Sequence, residues 1–164
     1  FKGFIKDEKI TIEIRFWISK IVGIRILPRI DFTDSTDPRH DLILIIDGGK
    51  VYVSKQILAC HSPVFHAMFY GDFAEKNKSE IELNYVDREE FIELLLVIYP
   101  SNKKITSFSA EFLLKLGDQF QIESVIDRAE KCLMKCWKVS AMTKLRIADR
   151  YNLVSLQVSK DMLS

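Results

Sequence analysis

From Asp87 onward the apolar residues recur at helical spacing alone, whereas before Asp87 alternating runs and short apolar blocks are mixed with a helical pair. Phe91, Leu94, Leu95 and Ile98 stand at i, i+3, i+4 and i+7, the apolar stripe of a helix. Asp87 and Glu90 form a capping-box-like pair at its start, and "YPSN" stops it. A second helix carries Phe112, Leu113, Leu116 and Phe120. A third carries Val125, Ile126, Ala129, Cys132, Leu133 and Cys136. Ser140 caps a fourth with Met142 and Leu145, and "NLVSLQVSKDML" reads as a last helical segment. Four or five consecutive helices with no intervening strand exclude an all-β fold and a regular βαβ alternation.

The strands lie upstream. "LILIID", opening after Asp41, is a short apolar strand; "GG" at Gly48–Gly49 turns the chain, and "KVYV" returns as its hairpin partner. Ser54 is placed to cap a short helix that carries Ile57 and Leu58 inward. Pro63 does not fit inside that helix but suits the first position of a new one, with Ser62 as its cap. Val64, Phe65, Met68 and Phe69 make the inner stripe of this second helix, Gly71 ends it, and "SEIELN" is a further strand. A few strands interleaved with a helical pair, then helices alone, predict an α+β fold: a small β-sheet covered by a helical cluster.

Two N-terminal segments precede this unit. Ile10, Ile12, Ile14, Phe16 and Ile18 alternate with Thr11, Glu13, Arg15 and Trp17, the period-two pattern of a half-buried strand. "KDEK" at Lys6–Lys9 reads as the turn of a hairpin feeding it. A two-stranded hairpin cannot bury such a face alone, so its partner strands are expected upstream or on another subunit. The chain opens on Phe1 and reads as a piece of a longer one. "PRIDFTDSTDPRHD", from Pro28 to Asp41, reads as a linker or a short loose helix.

Composition narrows the function classes. The net charge is +1, from 24 basic and 23 acidic residues, so no broad basic field is available and nucleic acid is not expected as a partner. "FWISKIVGIRILPRI" is interrupted by Lys20, Arg25 and Arg29 and does not offer the roughly 20 apolar residues of a membrane span. Three scattered cysteines do not make a disulfide framework and suggest a reducing compartment, the cytoplasm or nucleus.

"ACHSPVFH" puts Cys60, His61, Ser62 and His66 close together in sequence. His61 and His66 are five residues apart, about 140° around a helix, and Cys60 and His61 lie on different faces. No second ligand pair at zinc spacing occurs elsewhere. We therefore expect no metal, no cofactor and no catalytic pair: Cys60 in the core, Ser62 as a cap and the histidines at or near the surface. Cys132 and Cys136 share a helical face at i, i+4 and read as small buried hydrophobes, a metal or redox role being the rarer use of such a pair. The "DGGK" turn lacks the remaining residues of a phosphate-binding loop. Phe73, in the polar "GDFAEKNKSE", is either tucked back into the core or an exposed anchor for a partner.

The stretch from "DLILIIDGGKVYV" through "L-x-x-x-S-P-V-F-x-x-M-F" to "F-x-x-x-L-x-x-I-Y" resembles the core of a BTB/POZ domain, over Asp41 to about Trp137. "VSKQILACHSPVF…GDFAEKNK…IYPS" is similar to the subgroup in which this domain follows a MATH domain, and "FIKDEKITIEIRF" resembles the final hairpin of a MATH sandwich. The resemblance implies four units: a MATH-like remnant at 1–22, a linker or dimerisation segment at 23–40, a BTB/POZ domain at 41–137, and a helical extension at 138–164 that widens a cullin groove. It implies a homodimer built by the Asp31–Ile45 region and the first core helix, with Asp41, Leu42, Ile43 and Leu58 at the interface. The chain departs from the wider family at Ser54, where many members carry histidine. The resemblance further implies a non-enzymatic adaptor of a cullin–RING ubiquitin ligase. It would dock a cullin scaffold of the third type through Asp72, Phe73, Ala74 and Glu75, where "FAE" matches a hydrophobic–x–Glu motif, and a protein substrate would be chosen by the MATH half. The alternative is an oligomerising scaffold or transcriptional co-repressor module that never meets a cullin.

Overall fold

The computed structural model describes residues 30–71, 78–153 and 155–156, and the backbone of two short N-terminal strands. These are β1 (Ile5–Lys6) and β2 (Lys9–Ile10), paired antiparallel with Ile5 opposite Ile10 and Lys6 opposite Lys9, in the register that "KDEK" implies. The rest of the expected strand to Ile18 lies outside the described residues.

The central sheet has three strands: β3 (Leu42–Ile46), β4 (Gly49–Val53) and β5 (Glu80–Glu82), in the order β4-β3-β5. β3 pairs antiparallel with β4, Leu42 opposite Val53 and Leu44 opposite Val51, and parallel with β5, Leu44 opposite Ile81. The turn falls one residue earlier than expected. Asp47 (φ 50°) and Gly48 (φ 72°) both have positive φ, the requirement of a two-residue type I′ turn, and Gly49 already belongs to β4. Period two sends Leu42, Leu44, Ile46, Val51, Val53 and Ile81 to one buried face.

That face is covered by helices. α1 (Lys55–His61) and α2 (Pro63–Tyr70) are joined at Ser62, whose backbone is extended. Its side chain accepts the Phe65 N–H at 3.1 Å and donates to the Phe120 carbonyl at 2.6 Å. The expected cap is thus also a buried tie to the end of α4 (Ala110–Gln119). Phe65 is fully buried, stacks on Phe120 at 4.6 Å between centroids, and meets Phe91 at 6.2 Å. Phe91 lies on α3 (Arg88–Ile98), where Asp87 accepts the N–H groups of Glu89 and Glu90.

A second cluster joins α4 to α5 (Glu123–Lys135) and α6 (Ala141–Arg150) through Leu114, Ala129, Leu133, Ile147 and Ala148. Ser140 caps α6 by accepting the Thr143 N–H. Met142 and Leu145 do not face this core: they are 75% and 53% exposed, and the buried face of α6 is instead Lys144, Ile147 and Ala148.

The polar segment before β3 is neither loose nor helical. Asp31, Asp34 and Asp37 each accept the backbone N–H two residues on, three consecutive Asx-type turns. Between them Phe32 is buried, packs edge-on against Tyr99 at 5.0 Å, and accepts the Tyr52 N–H at 2.8 Å. The segment thereby shields the free edge of β4.

Candidate interaction surfaces

At the start of α1 the expected Ser54 cap is absent: its side chain makes no capping hydrogen bond. Asp41 does the work instead, its carboxylate accepting the Lys55 N–H at 2.7 Å. The Ser54 N–H is taken by the Tyr99 hydroxyl at 2.8 Å. Burial of that ring pushes the Tyr99 phenol up to about 12.

The four residues expected at a dimer interface therefore divide. Asp41 is exposed but engaged with α1, and Ile43 is half-buried. Leu42 and Leu58 are 2% and 0% exposed. They fill the protomer's own core beneath this face and offer no surface to a second copy. An apolar residue on a strand or short helix is spent first on its own protomer when its phase points inward.

Asp72, Phe73, Ala74 and Glu75 lie outside the described residues. The structure gives their point of departure. α2 closes at Tyr70, with the Gly71 N–H bonded to the Ala67 carbonyl, as the position of Gly71 suggested. Tyr70 is 49% exposed and, with Gln56, Ala59, Cys60 and His66, lines a recess of about 310 Å³ between α1 and α2. Cys60 is exposed, contrary to the expectation of a core cysteine. α1 is short and turns only Leu58 fully inward. Cys60 and His66 share the recess, while His61 does not line it. Among the described residues no group of three metal-ligating side chains converges.

On α6, exposed Met142 and Leu145 with Arg146 and Asp149 line a recess of about 500 Å³. Helical phase alone leaves either apolar face of α6 free to be the buried one; the structure buries Ile147 and Ala148 and exposes this pair. Among the described residues no helix is long and apolar enough to cross a membrane.

Comparison with known proteins accords with this architecture. A BTB/POZ domain family model matches residues 32–136. BTB and MATH domain-containing protein 38 of Caenorhabditis elegans is 42% identical over 157 residues, covering 96% of this chain and 41% of that protein. Protein 36 of the same series and organism is 39% identical over 156 residues, covering 94% of this chain and 48% of that protein. The chain thus spans less than half the length of these relatives. Kelch-like protein 40 of Xenopus laevis is 29% identical, covering 70% of this chain and 22% of that protein. The solved BTB domain of zebrafish PATZ1 superposes with a TM-score of 0.50 at 20% identity, covering 59% of this chain and 77% of that one, a likeness of fold. With the family model spanning most of the chain and the hairpin, paired helices and helical cluster all in place, the chain belongs to the BTB/POZ family of protein–protein interaction and dimerisation domains.

Proposed function

We propose that the chain is the dimerising, non-catalytic adaptor part of a cullin–RING ubiquitin ligase. In this reading Asp72–Glu75 docks a cullin scaffold of the third type, and a MATH-like portion, of which β1 and β2 are the last hairpin, selects the protein substrate. The observation that carries the reading is positional. The hydrophobic–x–Glu triplet Phe73–Glu75 begins two residues after Gly71 closes α2, in a chain similar to BTB and MATH domain-containing proteins. Exposed Tyr70, three residues before it, and the exposed Met142–Leu145 face of α6, provide apolar surface of the kind a partner buries. The dimer would use Asp41, Ile43 and the segment from Asp31 that covers the edge of β4, in the two-fold arrangement commonest among homo-oligomers.

The test is calorimetric titration with purified cullin amino-terminal domain, on the parent chain and on Phe73→Ala. Truncating an aromatic anchor costs about 2–4 kcal/mol of binding, so the affinity should fall about 30-fold to nearly 1000-fold, with the unfolding temperature almost unchanged. A large loss of stability with unchanged affinity would make Phe73 a core residue. A stable dimer with no affinity for cullin would favour the scaffold or co-repressor alternative.

A further inference from the structure

A further cleft is built by residues that none of these surfaces uses. It is an opening of about 710 Å³ between the Lys104–Ser107 stretch and the end of α5. Lys104, Lys131, Lys135 and Lys138 line it together with Arg128, Cys132, Cys136 and Trp137, and no carboxylate does. In a chain whose charges nearly balance, this is a concentrated positive field. Arg128 is committed to structure, donating to the carbonyls of Val97 and Lys103. The four lysines have no ion pair among the described residues.

The two thiols in this cleft are not equivalent. α5 ends at Lys135, so Cys136 is not on the helical stripe as its spacing from Cys132 suggested, but at the cap, with extended backbone. Partial burial would push its thiol up. The Lys138 N–H, the Ser107 hydroxyl, the Val139 N–H and the nearby Lys144 ammonium outweigh this and hold it below the ordinary cysteine range. Cys132 donates its S–H to the Ile105 carbonyl at 3.4 Å and is pushed up by burial and then by the charge of Cys136. Cys136 thus lines a lysine-rich cleft at a half-buried position just past the helix end, the setting of a reactive cysteine, while the S–H of Cys132 is engaged by the Ile105 carbonyl.

We propose that this cleft is a thiol–disulfide exchange site at which Cys136 is modified by small acidic disulfides of the glutathione type. The Cys136 thiolate attacks one sulfur of the disulfide. A bond forms between the two sulfurs, the original S–S bond breaks, and the other half leaves as a thiolate that takes a proton from solvent. Cys136 is oxidised and the departing half is reduced. The lysines gather the acidic co-reactant before the step. Cys132, its S–H engaged by the Ile105 carbonyl, does not displace the adduct, so the mixed disulfide is the product. It forms in the turn between α5 and the Ser140 cap of α6.

Cys60, exposed on α1, is the reference thiol within the same molecule. The purified chain is treated in parallel with glutathione disulfide, neutral bis(2-hydroxyethyl) disulfide and cationic cystamine, and the adducts at each cysteine are timed by peptide mass spectrometry. With glutathione disulfide, Cys136 should react about tenfold faster than Cys60. That lead should shrink with added salt and be absent with cystamine. Lys131→Gln with Lys135→Gln, both at exposed positions, should slow Cys136 toward glutathione disulfide and leave its rate with the neutral disulfide unchanged. Cys60 reacting first with all three reagents, a Cys136 rate indifferent to reagent charge, or a Cys132–Cys136 disulfide as the main product would each overturn the proposal.

Discussion

The carboxylate of Asp41, at the entrance to β3, accepts the backbone N–H of Lys55, at the first position of α1, at 2.7 Å. One side chain therefore joins the sheet to the first helix, on the segment expected to meet a second copy. Losing a capping oxygen costs about 1 kcal/mol. Asp41→Ala should cost about that much in urea unfolding, and Ser54→Ala should stay within about 0.5 kcal/mol, because the Ser54 hydroxyl caps nothing. If Asp41 also holds two copies together, its cost will grow as the protein is diluted toward its dissociation range. Equal costs at Ser54 and Asp41 would contradict the capping assignment.

Ser62 carries two obligations with one hydroxyl, to the Phe65 N–H and to the Phe120 carbonyl. It is 1% exposed, so water cannot replace either bond without local opening. Ser62→Ala should therefore cost about 1–3 kcal/mol, more than an ordinary exposed cap. Ser62→Thr keeps the hydroxyl but must seat a methyl in close packing. Thermal unfolding of Ser62→Ala that matched the parent would show the contact to be energetically idle.

Tyr99 provides the alkaline signature of the fold. Its folded-state phenol is raised from an ordinary 10.0 to about 12, chiefly by burial. A raised phenol means the folded state holds its proton longer than the unfolded chain does. The resulting stability is complete below pH 10 and is lost as pH rises through the folded value. At about 1.4 kcal/mol per unit, the loss approaches about 2–3 kcal/mol across that interval. Tyr99→Phe cannot ionise, so its stability should fall less steeply between pH 10 and 12, although at neutral pH it is lower by about 1–2 kcal/mol for the unpaired Ser54 N–H. Parallel slopes for the two proteins would remove Tyr99 as the cause.

What could be read from the sequence was local and periodic. The β3–β4 hairpin, the Pro63 break with its Ser62 cap, and the stripe of Phe91, Leu94, Leu95 and Ile98 each rest on residues within a few positions of one another. What escaped was set by tertiary packing. The Asp41 cap spans 14 positions, and Phe32 is buried because an edge strand needs cover, which its polar neighbours disguise. The helix whose stripe includes Cys132 stops one residue short of Cys136, and ends are the least legible part of any helix. Of the four dimer candidates that the resemblance implies, Leu42 and Leu58 are buried within this chain's own core, which depends on strand and helix phase and not on a motif.

The two apolar faces of α6 separate a binding role from a folding role. Met142 and Leu145 are exposed and line the recess with Arg146 and Asp149, while Ile147 is 3% exposed in the second core. Phase along the helix permitted either pair to be the buried one, and the core chose Ile147 with Ala148. Truncating an exposed side chain leaves stability within about 0.5 kcal/mol, whereas truncating a buried isoleucine costs about 2–5 kcal/mol. Met142→Ser with Leu145→Ser should therefore unfold like the parent, and Ile147→Ala should unfold well below it. If α6 extends the cullin surface, the double change should weaken cullin binding about tenfold or more, since losing a buried apolar contact costs about 1.4 kcal/mol or above. Ile147→Ala, measured well below its own unfolding temperature, should bind nearly as the parent does. A double variant that keeps full cullin affinity would confine docking to the segment after α2 and leave this face to another partner.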